Sequence, residues 1–404
     1  MQIHNENIRS VLVVTELFPN ERNSFLGTFV VGQLRILAKN YTVVVLTTYD
    51  FGIKGLITKR HPEYCAKEGM QVYYINGFSF IIWLLRCIKL LSHQRYMIIN
   101  KKIIRKRIKE KAEQLNMKYD FKCVLGHSVY VGDESVKIGK VLGIPSVLVI
   151  HGVYWHDRKI FGSCVMKSVI ASANNANKVV AVSKIALDSY RENGLINPNN
   201  HIVANGVVIR ELGGDHMFKD FGKGKIVLLS VGFFSKEKRV DRVIQALKYL
   251  HDTGINNSVL IIVGKGEQEK YLRRLVNRLE LGKHVVFSGE INPSDMEKVY
   301  NACDILVHPS IVESFSMVCL EAMSLGKPVV CTSNIGLIEY IQPGIDSIVV
   351  SPDNQQELNE AVYNLGKSVE YRRKIGEAAR KTAEKMSWEK HAEKMKTIIE
   401  DLVK

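Results

Sequence analysis

Short, continuously apolar runs rich in β-branched residues recur along the whole chain and alternate with stretches of helical periodicity. VLVV at residues 11–14, SVLVI at Ser146–Ile150 and VLIIV at residues 259–263 are examples. A strand with one solvated face alternates apolar and polar residues, whereas a continuous apolar run is typical of a strand covered on both faces. Strands of that kind belong to parallel sheets whose crossovers are helices. The pattern therefore predicts an α/β fold with two Rossmann-like, doubly wound domains.

The order of these runs predicts the elements and one domain boundary. We predict strands at residues 10–15, 42–47, 72–75, 123–125, 146–150, 179–182, 201–204, 225–231, 259–263, 285–288, 305–307, 328–331 and 348–350. Helices are predicted at residues 240–250, 269–281 and 295–302, among others. A polar, glycine-rich stretch at residues 205–225 precedes a clear restart, KIVLLSVG, so we place the boundary there. The first domain then covers residues 1–205 and the second residues 206–385.

Composition narrows the class of protein. The 404 residues include seven cysteines, an odd number without a C-x-x-C pair, which argues against disulfide scaffolds and zinc ribbons and favours a reducing cytosol. The first residues do not have the pattern of a signal peptide. The formal net charge of +15 is concentrated between Arg86 and Lys118, but this stretch has no recognisable nucleic-acid recognition module. We therefore expect a cytoplasmic protein that does not bind nucleic acid.

An apolar segment, FSFIIWLLRCIKLL at residues 78–91, lies directly before the basic stretch. It is shorter than the ~20 apolar residues that span a bilayer, and Arg86 and Lys89 interrupt it. An apolar wedge followed by a cationic helix at residues 100–115 is typical of an interfacial anchor. We predict that residues Phe78 to Lys118 bind an anionic membrane surface, on the inner face of the membrane. The alternative is that Trp83 and its neighbours are core and the lysines a solvated helix face.

A pair of glutamates, eight positions apart, has the strongest chemical pattern. Glu313 follows the predicted strand at residues 305–307, and Glu321 lies within the next helix. Between them, the amides of Ser316, Met317 and Val318 begin that helix, where unpaired N–H groups and the helix dipole favour an anion. Carboxylates accept hydrogen bonds from sugar hydroxyls, so this arrangement fits a nucleotide sugar. The alternative is a helix-terminal charge and a surface glutamate.

The surrounding sequence, HPSIVESFSMVCLEAMSLGKPVV, resembles the signature of the family-four glycosyltransferases. FPNERNSFLGTFVVGQL, LGIPSVLVIHG, VGFFSKEKRVDRVIQAL, IIVGKGEQEKYLRRL and VVFSGEINPSDMEKVYNACDILVHPS follow the family's order along nearly the whole chain. The resemblance implies the GT-B fold, with two Rossmann-like domains that face each other across a cleft, and a retaining reaction. MSWEKHAEKM resembles the family's last helix, so residues 386–404 are expected to cross back to the first domain.

The resemblance also implies roles for individual residues. The catalytic residues are expected to be His151, Glu313 and Lys238: His151 contacts the donor sugar, Glu313 binds its hydroxyls and Lys238 binds the donor phosphates. Glu321 is expected to bind the ribose. Gly27 lies in the loop beside the diphosphate and the acceptor. The remaining nucleotide-binding positions are expected at Gly232, Gly264, Gly266, Ile291, Ser314, Phe315, Ser316, Met317 and Val318.

The chain departs from the family pattern at several positions. Phe233 stands where an arginine often binds phosphate, and Ser314 and Ser316 stand where the family has glycines. The G-G-x-P-E pattern reads IGLIE at residues 335–339. No D-x-D or other metal-ligand cluster is visible, so we expect no metal and no cofactor other than a UDP- or GDP-linked sugar as co-substrate.

The resemblance implies a metal-independent retaining transfer to a glycan acceptor, which we expect to be lipid-linked, in the synthesis of a surface polysaccharide. The resemblance also implies that the acceptor oxygen attacks the anomeric carbon from the face that the diphosphate leaves. The departing diphosphate then takes the proton of the acceptor hydroxyl. Two alternatives remain open. One is a catalytically weak homologue that acts as a membrane-bound partner or scaffold, which the changes at Phe233 and Ser316 favour. The other is a sugar-nucleotide epimerase of the same fold.

Overall fold

The computed structural model describes residues 9–20, 26–49, 64–76, 80–88, 90, 92–128 and 130–404. The chain divides into two compact units. The first consists of Met1–Gly206 together with Trp388–Lys404, and the second is Val207–Ser387. Each unit is a Rossmann-like α/β domain built on a mostly parallel sheet, which confirms the predicted fold class.

The first unit is built on an eight-stranded sheet in the order β3-β4-β2-β1-β5-β6-β7-β8. Its strands are β1 Ser10–Thr15, β2 Thr42–Tyr49, β3 Tyr64–Lys67, β4 Met70–Asn76, β5 Phe121–His127, β6 Ser146–Ile150, β7 Lys178–Ala181 and β8 Asn200–Ile202. All neighbouring strands are parallel except β3, which forms an antiparallel hairpin with β4. The prediction did not include β3, whose short sequence YCAK has no apolar run.

The helices of the first unit connect these strands. Among the described residues they are α1 Thr28–Leu37, α2 Phe80–Cys87, α3 His93–Tyr119, α4 Glu134–Leu142, α5 Tyr154–Phe161, α6 Ser163–Asn175 and α7 Lys184–Arg191. The last helix of the chain, Trp388–Val403, also belongs to this unit. It packs on α1, where a Cβ added to Gly32 would lie 2.6 Å from the Trp388 ring.

The second unit is built on a six-stranded, fully parallel sheet in the order β11-β10-β9-β12-β13-β14. Its strands are β9 Ile226–Val231, β10 Ser258–Val263, β11 Val285–Gly289, β12 Ile305–His308, β13 Val329–Thr332 and β14 Ile348–Val350. Its helices are α8 Lys219–Gly222, α9 Val240–Asp252, α10 Glu269–Arg278, α11 Met296–Asn301, α12 Met317–Ser324, α13 Gln355–Lys367 and α14 Val369–Glu384. In this numbering Trp388–Val403 is α15.

The strands with continuous apolar runs are buried on both faces, as predicted. Every residue of β1, β6 and β10 is buried. Burial of apolar side chains is worth roughly 25 cal/mol per Å² of surface removed from water, so these central strands contribute most to the core of each unit.

Each sheet reverses its strand order at one point. In the first unit β1 lies between β2 and β5, and in the second β9 lies between β10 and β12. In open parallel sheets, ligands bind outside the carboxyl ends of the strands at such a switch point. By this rule a ligand is expected near the ends of β1 and β5 in the first unit and of β9 and β12 in the second.

The basic segment differs from the prediction in two respects. Its helix, α3, is longer than residues 100–115, and part of its positive charge lies inside the unit. Lys101 is 3% exposed and forms an ion pair with Asp133, and Arg105 contacts both Asp133 and Glu134. Phe78 and Lys89 of the predicted anchor lie outside the described residues. Among the helices that the structure describes, none is long and apolar enough to cross a membrane.

Candidate functional site

Glu313 lies in the loop after β12, beside the switch point of the second unit. Its Oε1 atom receives three donors: His308 Nε2 at 2.6 Å, Ser310 Oγ at 3.0 Å, and Lys238 Nζ in an ion pair. Lys238 ends a short 3-10 helix, Lys236–Lys238, in the loop after β9. The predicted residues Lys238 and Glu313 thus lie in contact, although 75 positions separate them. Within the described part of the chain, no donor reaches Oε2.

Backbone hydrogen bonds fix the loop that presents Glu313. The Ile311 N–H donates to the Glu237 carbonyl at 2.9 Å, which ties this loop to the 3-10 helix. The Glu313 N–H donates to the Asn334 carbonyl at 3.0 Å, and the Gly336 N–H donates to the Glu313 carbonyl at 3.0 Å. The carboxylate is therefore held between the loops that follow β9, β12 and β13, which is the preorganisation that a binding site requires.

The charges in this cluster support one another. Burial by itself raises the pKa of Glu313. The charges of Lys238 and His308, and their hydrogen bonds to the carboxylate, outweigh the effect of burial, so the pKa of Glu313 lies well below its usual value. Burial lowers the pKa of His308, while the Cys319 sulfur and the Glu313 carboxylate raise it by more. Glu313 is consequently an ionised carboxylate at neutral pH, with one oxygen already saturated.

The start of α12 follows Glu313 directly. Ser316, the residue before the helix, has φ 86° and ψ 77° in the left-handed region. A non-glycine residue there is strained by roughly 1–2 kcal/mol, which explains why the resembled family has glycine at this position. Ser314 is half-buried, Phe315 is 2% exposed, and Met317 and Val318 form the first turn. The N–H groups of that turn have no acceptor within the helix.

Glu321 lies on α12 and accepts a hydrogen bond from the Tyr300 hydroxyl at 2.6 Å. Burial raises its pKa, and the Tyr300 hydrogen bond and the charge of Arg210 only partly oppose this shift. The structure therefore places Glu321 at a half-buried position with a defined partner, not at an exposed one. The two glutamates have different environments, because Glu313 forms an ion pair with Lys238 whereas Glu321 accepts its hydrogen bond from the neutral Tyr300 hydroxyl.

The glycine loops lie at the carboxyl ends of neighbouring strands. Gly232 follows β9, Gly264 follows β10, and Ile291 follows β11. The Gly232 N–H donates to the Val263 carbonyl at 3.0 Å. A Cβ added to Gly264 would lie 2.0 Å from the Gly232 carbonyl oxygen, so the two loops approach each other as closely as only glycine allows. Ile291 is 9% exposed, whereas Phe233 is 55% exposed.

In the first unit, Gly27 adopts φ 68° directly before α1. A Cβ there would lie 2.2 Å from the Leu17 carbonyl oxygen, in the loop after β1. The helix that begins at Thr28 brings the Phe29 ring to 4.8 Å from the His151 ring, between centroids. The predicted residues Gly27 and His151 therefore lie in one region, at the carboxyl edge of the first sheet.

His151 follows β6 and forms a hydrogen bond with His127, the last residue of β5. His127 Nδ1 and His151 Nε2 lie 2.9 Å apart. Asp157, on α5, accepts a hydrogen bond from the Tyr190 hydroxyl at 2.7 Å, and a Cβ on Gly152 would lie 2.4 Å from its carboxylate. Burial raises the pKa of Asp157 to about 7, and the Tyr190 hydrogen bond only partly opposes this.

Sequence reasoning did not select four of these side chains. His308 and Ser310 precede Glu313 in the HPS motif, where two polar residues after an apolar strand were a usable signal. His127 ends β5 in the same way, after the run CVLG. Asp157 gave no signal, because a lone aspartate in a polar helix is common. Among the described residues, no group of three or more His, Cys, Asp and Glu side chains could hold a metal ion.

Residues 215–382, which contain the Glu313 cluster and the glycine loops, match the family model described as "Glycosyl transferases group 1". Most of the second unit, Val207–Ser387, lies within this match. An uncharacterized glycosyltransferase from Methanocaldococcus jannaschii is 34% identical over 164 residues, 40% of this chain and 42% of its own length. The lipopolysaccharide glucosyltransferase WaaG of Escherichia coli is 33% identical over 138 residues, 34% of this chain and 36% of its own length.

Similarity of structure extends beyond the residues that match the family model. The crystal structure of Anabaena Alr3699/HepE in complex with UDP and glucose matches 98% of this chain and 100% of its own, with a TM-score of 0.73 and 17% identity. At that identity the likeness shows the fold alone. The sequence matches, by contrast, span less than half the length of the two relatives named above.

Proposed function

We propose that this protein is a glycosyltransferase that moves a sugar from a nucleotide-diphosphate sugar, UDP- or GDP-linked, to a hydroxyl of an acceptor. The observation that carries the proposal is the convergence of Lys238, His308 and Ser310 on Glu313 Oε1, at the switch point of a group 1 domain. A single carboxylate with one saturated oxygen and one open oxygen is suited to accept hydrogen bonds from sugar hydroxyls.

In the proposed reaction the bond between the anomeric carbon and the diphosphate oxygen breaks, and a bond from that carbon to the acceptor oxygen forms. The acceptor proton passes to the departing diphosphate. Lys238 supplies positive charge for the leaving diphosphate, together with the N–H groups at the start of α12. Glu313 holds the sugar hydroxyls, Glu321 the ribose, and His151 a further group of the donor sugar.

We further propose that the transfer retains the anomeric configuration and needs neither a metal ion nor a resident cofactor. Support comes from the cations and backbone N–H groups that surround the proposed diphosphate position. A donor screen tests these points: the full-length protein is incubated with a panel of UDP- and GDP-sugars with and without EDTA, and NMR follows the anomeric proton of the product. Turnover that EDTA abolishes would overturn metal independence, and an inverted anomer would overturn retention.

For the acceptor, we propose a glycan, lipid-linked in surface-polysaccharide synthesis, at the inner face of the membrane. The relatives include a lipopolysaccharide glucosyltransferase. In this chain, Leu84, Ile88 and Leu90 are 41%, 55% and 66% exposed, next to the basic helix α3. Isolated exposed apolar residues are ordinary, but three within seven positions beside exposed lysines support a membrane contact.

Vesicle sedimentation tests the membrane contact. Replacement of Leu84 and Ile88 by serine is expected to release the protein from anionic vesicles. Ile196→Ser, at an apolar residue elsewhere in the first unit that is 81% exposed, is expected to leave binding unchanged. Equal sedimentation of all three proteins would show that the segment does not bind membranes. If no nucleotide sugar is bound or turned over by the wild-type protein, the scaffold alternative replaces the enzyme.

A further inference from the structure

His127 and His151 form a pair of imidazoles at the carboxyl edge of the first sheet. Their strands, β5 and β6, are parallel neighbours with His127 opposite Val149. The register therefore brings the ring at the end of one strand beside the ring that follows the other. The rings lie 5.2 Å apart between centroids, with 18° between their planes, and are joined by the 2.9 Å contact of His127 Nδ1 with His151 Nε2.

The two remaining ring nitrogens are buried. His127 Nε2 and His151 Nδ1 have no hydrogen-bond partner within the described part of the chain. His127 is 0% exposed, and the Phe29 ring packs against His151. An unpaired buried polar atom is unfavourable, so a ligand hydroxyl that reached His151 Nδ1 would supply the missing hydrogen-bond partner.

Both imidazoles are neutral at physiological pH. Burial lowers the pKa of His127 to about 3 and lowers that of His151 well below its usual value. A neutral imidazole carries one N–H, and the contact between the rings holds a single hydrogen. If His127 donates from Nδ1, then His151 carries its own hydrogen on Nδ1. If His151 donates from Nε2, then its Nδ1 is an acceptor.

We propose that His127 is a positioning residue for His151: the His127 ring fixes the rotation and the tautomer of the His151 ring. It thereby determines whether His151 Nδ1 donates a hydrogen bond to a donor-sugar hydroxyl or accepts one from it. The proposal rests on the proposed function, since that assigns His151 to the donor sugar. His127 itself touches no substrate in this account and acts through the neighbouring ring.

Nitrogen NMR of histidine-labelled, full-length protein tests the proposal, because the two ring nitrogens of each tautomer have well-separated ¹⁵N shifts. The wild-type protein is expected to show His151 in one tautomer. His127→Leu removes the contact, and His127→Gln keeps a polar side chain but moves its amide to the Nε2 position. Both are expected to convert His151 to the other tautomer or to a mixture. His127→Asn, whose amide lies near Nδ1, is expected to restore a single tautomer.

Activity gives the second readout. Relative to wild type, His127→Leu is expected to lower kcat/KM for the nucleotide sugar about 10- to 100-fold. This is the range found when a residue that hydrogen-bonds and orients a metal-ligating histidine is removed. Binding of the free nucleoside diphosphate should not change, and His127→Asn should recover most of the loss. His251→Asn, at a half-buried histidine of the second unit that hydrogen-bonds the Ser258 carbonyl, is the control.

Identical His151 shifts in wild type, His127→Leu and His127→Gln would overturn the proposal, whatever the activity. If the wild-type protein turns over no nucleotide sugar, the proposed function fails, but the NMR comparison still decides whether His127 sets the tautomer of His151. Should His127→Leu not fold, the Gln and Asn variants give the same comparison.

Discussion

His308 Nε2 lies 2.6 Å from Glu313 Oε1, and the same oxygen accepts hydrogen bonds from Ser310 and Lys238. Three donors on one carboxylate oxygen leave the other oxygen, Oε2, without a donor among the described residues. The cluster thus orients Glu313 without consuming its capacity to bind a ligand. This is the feature that distinguishes a binding carboxylate from one whose hydrogen bonds are entirely internal.

Loss of the Lys238 charge is expected to destabilise the second unit. Lys238→Met leaves the half-buried Glu313 carboxylate without its main cation, and we expect a loss of about 2 kcal/mol in the free energy of unfolding, below the range for fully buried pairs. Lys248→Met is the control, because the Lys248–Asp252 pair is 37% and 55% exposed and contributes about 0.5 kcal/mol or less. Hydrogen exchange of the β9 and β12 amides measures the loss of stability in each of the two variants. Equal protection in the two variants would contradict the account.

Two glycines allow a test of close backbone approach. Gly27 and Gly143 have almost the same left-handed conformation, with φ 68° and 67°. At Gly143 an added Cβ meets nothing within 4 Å, whereas at Gly27 it would lie 2.2 Å from the Leu17 carbonyl oxygen. Gly143→Ala is therefore expected to lower stability by about 1 kcal/mol, and Gly27→Ala by clearly more.

The first unit offers a convenient probe for this comparison. All three tryptophans of the chain, Trp83, Trp155 and Trp388, belong to that unit, so their fluorescence during urea denaturation reports on it alone. Equal destabilisation by the two alanine substitutions would show that the loop at Gly27 can move away from Leu17.

Glycine is expected to fit the backbone conformation at position 316 better than serine does. The change Ser316→Gly relieves the φ of 86° and removes a buried hydroxyl without a hydrogen-bond partner in the described region. We expect a gain of about 1 kcal/mol in stability, with nucleotide-sugar binding retained. Hydrogen exchange of α12 measures the gain. A loss of stability would show that the serine side chain has a structural role.

The raised pKa of Asp157 predicts that the stability of the first unit depends on pH. Because the pKa of the folded state is raised from 3.8 to about 7, the protonated form is favoured in the folded protein. That stabilisation is complete below the unfolded pKa and is lost as the pH rises through about 7. Relative to Asp157→Asn, the wild-type unit should lose on the order of 4 kcal/mol between acid pH and pH 8. Urea denaturation at several pH values, followed by tryptophan fluorescence, checks this. A constant difference between the two proteins would contradict it.

Much of the fold was predictable because its determinants are local. The continuous apolar runs of β1, β6 and β10 can be buried only in a parallel sheet with helices on both faces, so periodicity was sufficient. The hairpin strand β3 was missed, since its stability comes from pairing with β4 and not from its own sequence.

The candidate site was predictable as a set of residues but not as a set of contacts. The positions of Glu313 and Lys238 came from motif order, whereas their ion pair joins residues 75 positions apart and depends on which strands are neighbours. The same holds for His127 and His151, which meet only because β5 and β6 are in register. The charge run in α3 was partly misread, because Lys101 and Arg105 face buried carboxylates. Partners of that kind are not visible in the sequence of one helix.

Calorimetric titration with UDP- and GDP-sugars, and with UDP and GDP alone, tests whether the Glu313 cluster binds a nucleotide sugar. We expect at least one nucleotide sugar to bind the wild-type protein. Glu313→Gln should weaken binding of that sugar about 10-fold or more and leave the free diphosphate nearly unchanged, because one charge-assisted hydrogen bond contributes roughly 1.5–3 kcal/mol. Lys238→Met should weaken binding of both the nucleotide sugar and the free nucleoside diphosphate. If Glu313→Gln and wild type bind every ligand equally, or neither binds any, the Glu313 cluster is not a nucleotide-sugar site.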